Sequence, residues 1–172
     1  MSQIILGLDP GTQFVGFGAL QMLGAEIRVL GHGVLIPDHP EEAVNARLLD
    51  LGTAFRQVLQ KYSPQYVVVE KSFFHKNADT AFKLGQSRGV FIYEAMQFGA
   101  EVSEYATRAV KKTVTGQGDA DKIMVAQALK NLLPIASFNS YDASDAVALA
   151  YHHVVEMRKA ELMRKMNLDN RK

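Results

Sequence analysis

Two carboxylates stand at the ends of predicted strands, where an acidic side chain can bind a ligand or take part in catalysis. Asp9 follows the apolar run Ile4–Leu8 and comes directly before Pro10 and Gly11, a pattern that predicts a buried strand ended by a turn. Glu70 ends a second apolar run. If a βαβ crossover pairs these two strands in parallel, both carboxylates lie side by side at one edge of the sheet.

Two further acids begin the last predicted helix. Asp142 and Asp145 follow Asn139 and Ser140, and either of those two residues can cap a helix. A spacing of three residues places the two acids on one face of the helix. If this end of the helix lies over the strand ends, four carboxylates converge, and close carboxylates raise one another's pKa.

The predicted site offers only oxygen ligands. The chain has no cysteine, which excludes a thiol nucleophile, a disulfide scaffold, an iron–sulfur cluster and a cysteine-ligated zinc. Hard oxygen donors prefer Mg²⁺, with Mn²⁺ able to substitute. Two such ions would support phosphodiester hydrolysis without a side-chain nucleophile. The predicted metal-binding and catalytic residues are Asp9, Glu70, Asp142 and Asp145.

A second group of residues has the chemistry of nucleic-acid binding. Phe73 and Phe74 stand in a polar, basic segment directly after Glu70, and exposed aromatic rings beside such a site suit stacking on unpaired bases. Lysines flank a glycine-containing break at residues 116–118 and suit contacts to phosphates. The predicted nucleic-acid-binding residues are Phe73, Phe74, Lys76, Arg88, Lys111, Lys112 and Lys122.

The elements that position these side chains follow from the hydrophobic pattern. The first forty residues predict three strands in an antiparallel meander, with a turn at Gly24. Later strands are predicted over 66–70 and 101–105. Helices are predicted from Pro40 to Tyr62, Ala78 to Phe98, Ala106 to Val114, Asp119 to Leu133 and Ser140 to Met166.

This order of elements predicts an α/β fold with a mixed five-stranded sheet, three antiparallel strands being followed by parallel ones, and with helices on both faces. The 172 residues contain no internal repeat or linker and predict a single domain over 1–166, followed by a flexible tail over 167–172.

Composition narrows the class of protein. Hydrophobic residues make up 48% and charged residues 22% of the chain, which excludes global disorder. The net charge of +1 hides an uneven distribution, because the first sixty residues are acidic overall and the remainder is basic. No signal peptide or apolar run of about 20 residues is visible, so a cytoplasmic protein without a membrane partner is expected.

Four segments together resemble the RuvC-type Holliday junction resolvases of the ribonuclease H-like superfamily. They are ILGLDPGTQFVGFG, VVVEKSFFHKNADTAFKLGQSRGV, RAVKKTVTGQGDADK and YDASDAVALAYHH. The resemblance implies a ribonuclease H-like fold and a match of Asp9, Glu70, Asp142 and Asp145 to the family's four metal-binding catalytic acids. It also implies base stacking by Phe73 and DNA contacts or catalytic assistance by Lys111 and Lys122.

The resemblance implies a structure-selective endonuclease for homologous recombination and DNA repair. Such an enzyme resolves four-way DNA junctions by paired symmetric nicks, with two metal ions in each active site. Two symmetric cuts need two active sites, so a homodimer is expected, with the helix from Ala78 to Phe98 as its candidate contact. The resemblance also implies a partnership with the RuvA–RuvB branch-migration complex.

Two alternatives remain open at this point. A YqgF-like nuclease acting on RNA is a related possibility, against which the aromatic segment at Phe73 and the stretch from Lys111 to Lys122 favour the RuvC type. The turn from Leu8 to Thr12 also resembles the phosphate loop of actin-like nucleotide-binding modules. That class encloses its nucleotide between two domains, whereas this length predicts one.

Overall fold

The computed structural model describes residues 2–71 and 77–169, with side chains through Asn167. Within these ranges the chain forms five strands and five helices. They are β1 (Ser2–Asp9), β2 (Val15–Leu23), β3 (Glu26–Leu35), α1 (Val44–Tyr62), β4 (Tyr66–Glu70), α2 (Ala78–Phe98), β5 (Glu101–Tyr105), α3 (Thr107–Thr115), α4 (Lys122–Leu132) and α5 (Tyr141–Asp169).

The five strands form one mixed sheet in the order β3-β2-β1-β4-β5. β1 pairs antiparallel with β2, and β2 pairs antiparallel with β3, whereas β4 lies parallel to both β1 and β5. The register pairs Leu8 with Val69, the residues directly before Asp9 and Glu70. The predicted fold class is therefore confirmed, and two of the predicted acids end neighbouring strands.

Helices cover both faces of the sheet because the strands are apolar on both. Val67 and Val69 of β4 belong to one buried cluster, and Val68 between them belongs to the other, as the two-residue period of a strand requires. α1 and α2 pack on the first face, where the rings of Phe55 and Phe91 meet edge to face at 5.4 Å. α3, α4 and α5 pack on the second face.

Glycines in β1 and β2 allow α5 to lie directly on the sheet. A Cβ atom at Gly7 would overlap the carbonyl oxygen of Ala146, and one at Gly16 would overlap that of Asp142. Ala146 is fully buried in this contact. The close packing of α5 therefore depends on the strand glycines as well as on small residues of the helix such as Ala146. Together they bring the acidic end of α5 against the strand that leads into Asp9.

The close contact at Gly16 gives a stability prediction. Gly16→Ala is expected to lower the free energy of unfolding by about 1–3 kcal/mol, because the added methyl group meets backbone that cannot rotate aside. Urea titration followed by circular dichroism measures the change. An unfolding free energy equal to that of the parent would contradict the close packing of α5 on β2.

Two predicted helix starts are wrong by several residues. α1 begins at Val44 rather than Pro40, because residues 39–42 form a turn in which the Glu42 N–H donates to the His39 carbonyl at 3.2 Å. α4 begins at Lys122 rather than Asp119. Its start is fixed by Asp121, whose side chain accepts a hydrogen bond from the Met124 N–H at 2.8 Å.

The last helix is longer than predicted. α5 continues to Asp169 instead of ending at Met166, so part of the predicted flexible tail is helical. No Pro or Gly follows Met166 within the helix, and an ion pair at a spacing of four residues, Lys165 to Glu161 at 2.9 Å, supports its last turns. Within the two described ranges, no helix combines the length and apolar character needed to cross a membrane.

Candidate active site

A cavity of about 130 Å³ lies where β1 and β4 end beneath α5. Asp9, Glu70 and Asp145 line it, together with Thr107 and Lys111. Three of the four predicted acids therefore share one small cavity. They come from two strand ends and one helix, as the parallel pairing of β1 and β4 requires.

Asp142 lies beside this cavity rather than within its lining. It shares with Asp9 a neighbouring depression that is bounded by the turn over residues 10–14. Its negative charge nevertheless raises the pKa values of both Asp9 and Asp145. The charges of all three other predicted acids thus act on Asp9, which lines both cavities.

Two of the four acids, Asp9 and Asp145, have strongly raised pKa values. Burial, followed by the charges of the other three acids, raises the pKa of Asp9 to about 7. Burial and the Glu70 charge raise the pKa of Asp145 to about 6, although the positive charges of Lys111 and Lys122 act to lower it. Strong perturbation by burial and by specific neighbouring charges is characteristic of functional sites.

A hydroxyl group orients Glu70. Thr107 Oγ1 donates a hydrogen bond to Glu70 Oε1, which fixes one carboxylate oxygen. Thr107 begins α3 directly after β5, and β5 pairs with β4 so that Tyr105 lies opposite Glu70. Sequence reasoning missed Thr107, because nothing local to it indicates a contact with a carboxylate 37 positions away in sequence.

The turn that follows Asp9 is held from the opposite face of the sheet. Ser87 of α2 is fully buried, and its Oγ donates to the Gly11 carbonyl at 2.6 Å. Arg47 of α1 donates through Nε to the Thr12 carbonyl at 3.0 Å. Neither residue had a sequence signal, because each hydrogen bond is made to backbone distant in sequence.

The four carboxylates fit a divalent cation by their chemistry. In the described ranges, no group of three or more His, Cys, Asp or Glu side chains is already arranged to hold an ion. The donors around Asp9 are nevertheless all oxygens, the type that Mg²⁺ and Mn²⁺ prefer. A cation would also stabilise the charged forms of the two carboxylates whose pKa values are raised.

The three predicted lysines of α3 and α4 have different surroundings. Lys111 lines the acidic cavity, and Lys122 lines an adjoining groove together with Asp142. Lys112 is exposed and is not part of the cavity lining. One residue along a helix turns the side chain by about 100°, so Lys112 does not share the cavity with Lys111, and its predicted contact to DNA stays a prediction.

Arg88 has a charged partner within the protein. Its guanidinium forms an ion pair with Glu104 of β5, and its buried Nε lacks a hydrogen-bond partner among the described residues. The predicted contact of Arg88 with DNA stays a prediction. Three other predicted DNA-binding residues, Phe73, Phe74 and Lys76, lie outside the described residues.

Comparisons with known proteins agree on one family. The sequence model of the family "Crossover junction endodeoxyribonuclease RuvC" matches residues 5–153. The chain is 50% identical over 165 residues to the crossover junction endodeoxyribonuclease RuvC of Bdellovibrio bacteriovorus, covering 96% of this chain and 98% of that protein. It is 35% identical to the protein of the same name from Haemophilus ducreyi, covering 95% of this chain and 84% of that protein.

A solved structure gives the same result. The structure described as T. thermophilus RuvC in complex with a Holliday junction substrate superposes with a TM-score of 0.84 at 28% sequence identity. The match covers 92% of this chain and 96% of that chain. The agreement therefore extends over nearly the whole fold and includes the strands and the helix that carry the four acids.

Proposed function

The chain belongs to the RuvC family of crossover junction endodeoxyribonucleases, and from this membership we propose how its residues resolve four-way DNA junctions. It is a metal-dependent nuclease of ribonuclease H-like fold that acts on Holliday junctions in recombination and repair. The observation that carries the proposed mechanism is the convergence of four carboxylates around Asp9, whose pKa is raised to about 7.

The proposed metal ligands are Asp9, Glu70, Asp142 and Asp145. We assign two Mg²⁺ ions to each active site, with Mn²⁺ as a substitute, because all the donors are carboxylate oxygens. When bound, two such ions promote attack by water on the phosphodiester and stabilise the leaving oxygen. The remaining catalytic contributions come from residues that hold the carboxylates and the DNA.

Hydrogen bonds and close packing restrain the segments that carry these carboxylates. Asp9 ends a central strand, and Ser87 fixes the turn that follows it. Thr107 holds one oxygen of Glu70. The contact of α5 with Gly16 fixes the helix turn that carries Asp142. Preorganisation of this kind lets the site stabilise the transition state without rearranging first.

Lys111 is the proposed contact to the phosphate at the cut. It lines the acidic cavity, so its ammonium can meet a phosphate that lies against the carboxylates. Lys111→Ala is expected to lower the single-turnover cleavage rate about a hundred- to a thousandfold, as removal of one preorganised transition-state contact commonly does. Cleavage of a labelled junction at saturating enzyme measures this rate.

Lys112→Ala provides the matched comparison for Lys111. It removes the same charge from the adjacent, exposed residue of α3, and we expect it to change the affinity for DNA more than the cleavage rate of bound junction. Equal losses of cleavage rate in the two variants would contradict the assignment of Lys111 to the cavity.

A second copy of this chain is the proposed partner along α2. Phe82, Tyr93 and Met96 are each more than 60% exposed on this helix, and a Cβ atom at Gly85 or Gly89 would meet nothing within 4 Å. An exposed apolar helix face with small residues suits close contact with another helix. A two-fold dimer would present two active sites to a junction that is itself nearly two-fold symmetric.

The proposed function also includes a cellular location and a protein partner. We assign the activity to the cytoplasm, where bacterial DNA is recombined. Membership of the RuvC family also supports action together with the RuvA–RuvB branch-migration complex. A pull-down of purified RuvA–RuvB on a junction, with and without this chain, tests the second assignment.

Substrate competition tests the proposed function against its alternatives. A synthetic four-way junction, a linear duplex of the same sequence and an RNA junction are mixed with the protein and Mg²⁺. Preferential nicking of the DNA junction is expected. Preference for RNA would favour the YqgF-like alternative, and saturable ATP binding without nicking would favour the nucleotide-binding one.

A further inference from the structure

The aromatic ring of Tyr141 contacts the side chain of a neighbouring lysine, Lys122. It begins α5, one residue before Asp142, and 42% of its surface remains exposed. The Lys122 ammonium lies over its ring, with Nζ 4.5 Å from the ring centroid. This distance is within the range of a cation–π interaction. The ring of Tyr141 therefore has a defined charged partner despite its exposure.

The position of Lys122 in its own helix explains why this partner matters. Lys122 is the first residue of α4, directly after the capping residue Asp121. The N-terminal end of a helix carries partial positive charge, so it does not attract an ammonium group. The side chain is also exposed and has a flexible four-carbon stem. Tyr141 supplies an attraction that the helix end does not.

The pair lies at the border of the acidic site. Lys122, Tyr141 and Asp142 line the same groove, of about 610 Å³, between α4 and the start of α5. The positive charge of Lys122 reaches Asp145 and acts to lower the pKa of that carboxyl. An ammonium held over Tyr141 thus lies in a groove that Asp142 also lines, and its charge reaches Asp145.

We propose, on the basis of the nuclease function above, that Tyr141 is a positioning residue whose ring holds Lys122 where it meets the phosphate bound beside the carboxylates. The role of Tyr141 is to restrict the orientation of a long side chain before the substrate arrives. An ammonium that is already in place contacts the reacting phosphate without first losing rotational freedom. Tyr141 itself does not need to touch the DNA.

Two substitutions separate the ring from the hydroxyl group. Tyr141→Phe keeps the aromatic face and is expected to retain most of the parent cleavage rate. Tyr141→Leu removes that face and is expected to lower the single-turnover rate about fivefold, in keeping with an exposed cation–π contact. In a Lys122→Ala background, Tyr141→Leu should cause no further loss, because the group that it positions is gone.

Lys61 provides a matched control. Its ammonium also lies over a tyrosine ring, that of Tyr62, at 5.0 Å. This pair is at the end of α1, which leads into the amino end of β4 and so lies at the opposite edge of the sheet from the acids. Lys61→Ala should therefore leave junction cleavage at the parent rate.

A nuclear magnetic resonance measurement tests the placement independently of cleavage. The ε-methylene protons of Lys122 should show an upfield ring-current shift that Tyr141→Phe preserves and Tyr141→Leu removes. Cleavage by a parent protein whose Lys122 protons are unshifted would overturn the positioning role alone. Equal losses of cleavage from Tyr141→Leu with and without Lys122 would also overturn it, because they indicate direct contact of the ring with DNA.

A different result would count against the proposed function. If the parent protein has the shifted Lys122 protons but leaves the junction intact in Mg²⁺, the nuclease mechanism fails, and the positioning role in cleavage fails with it. The two failures are therefore distinguished by which of the two measurements is negative.

Discussion

Asp9→Asn is expected to lower four-way junction cleavage by about a thousandfold or more, because loss of a central metal ligand removes several kcal/mol of transition-state stabilisation. Asp9 has this effect because it is the acid that the other three all influence. The substitution preserves the size of the side chain and removes only its charge. Binding of the junction in Ca²⁺ is expected to persist, since phosphate contacts by basic residues supply most of the affinity.

The assay for Asp9→Asn measures both properties in one series. Single-turnover cleavage in Mg²⁺ gives the rate, and a gel shift in Ca²⁺ gives the affinity. Asp50→Asn is the matched control, because Asp50 is a carboxylate of α1 whose hydrogen bond is to the His39 N–H. If Asp9→Asn cuts the junction at a rate near that of the parent, Asp9 is not a catalytic ligand.

In the absence of divalent cations, Asp9→Asn is expected to make the protein more stable than the parent at pH 8. The pKa of Asp9 is raised from 3.8 to about 7, so the folded state holds this proton more tightly than the unfolded chain does. The stability from that proton is fully present below about pH 4 and is lost as the pH rises to 7. At about 1.4 kcal/mol per pKa unit, the total cost is on the order of 4 kcal/mol.

Denaturant titrations in EDTA at pH 5 and pH 8 measure this difference. The Asp9 contribution alone should make the parent lose about 3 kcal/mol between these two values, and Asp9→Asn should remove that part of the loss. Asp145, whose pKa is raised to about 6, adds a smaller loss of the same sign in both proteins. The same pH dependence in the parent and in Asp9→Asn would contradict the raised pKa of Asp9.

Repeating the denaturant titrations in Mg²⁺ tests whether Asp9 binds the cation. A cation that binds only the folded state stabilises it by mass action. Mg²⁺ should therefore raise the unfolding free energy of the parent at pH 8 and should raise that of Asp9→Asn much less. At pH 5, where Asp9 is protonated, the stabilisation of the parent should be small because protons compete with the metal.

The sequence predicts the four acids because each has a local signal. Asp9 and Glu70 end apolar runs, and Asp142 and Asp145 share a face at the start of a helix that Ser140 caps, through its Oγ and the Ala143 N–H at 3.1 Å. The pairing of β1 with β4 is then consistent with a right-handed crossover, in which α1 connects β3 to β4. These regularities are short-range, so one sequence is sufficient to identify them.

The residues that support the acids have no such signal. Ser87 contacts a carbonyl 76 positions away in sequence, and Thr107 contacts a carboxylate 37 positions away. The role of Gly16 depends on which helix crosses above it. Such contacts exist only once the sheet and helices are packed, and Ser, Thr and Gly are common in other settings.

Surface cations show a different limit of sequence reasoning. Lys111 and Lys112 are adjacent and chemically identical, yet one lines the cavity and the other faces solvent. Arg88 has the right charge for DNA but is paired with Glu104 on β5. Composition identifies a basic stretch, whereas helix phase and packing decide which of its members reaches the site.

Mapping of nicks on a four-way junction tests whether this protein is a junction-selective nuclease that depends on Asp9. The four strands are labelled one at a time, and the junction is incubated with the protein in Mg²⁺. We expect nicks at symmetric positions on two opposing strands, with ends that ligase reseals, and no cutting by Asp9→Asn. An intact junction, or equal cutting of the linear duplex and of the junction, would contradict this expectation.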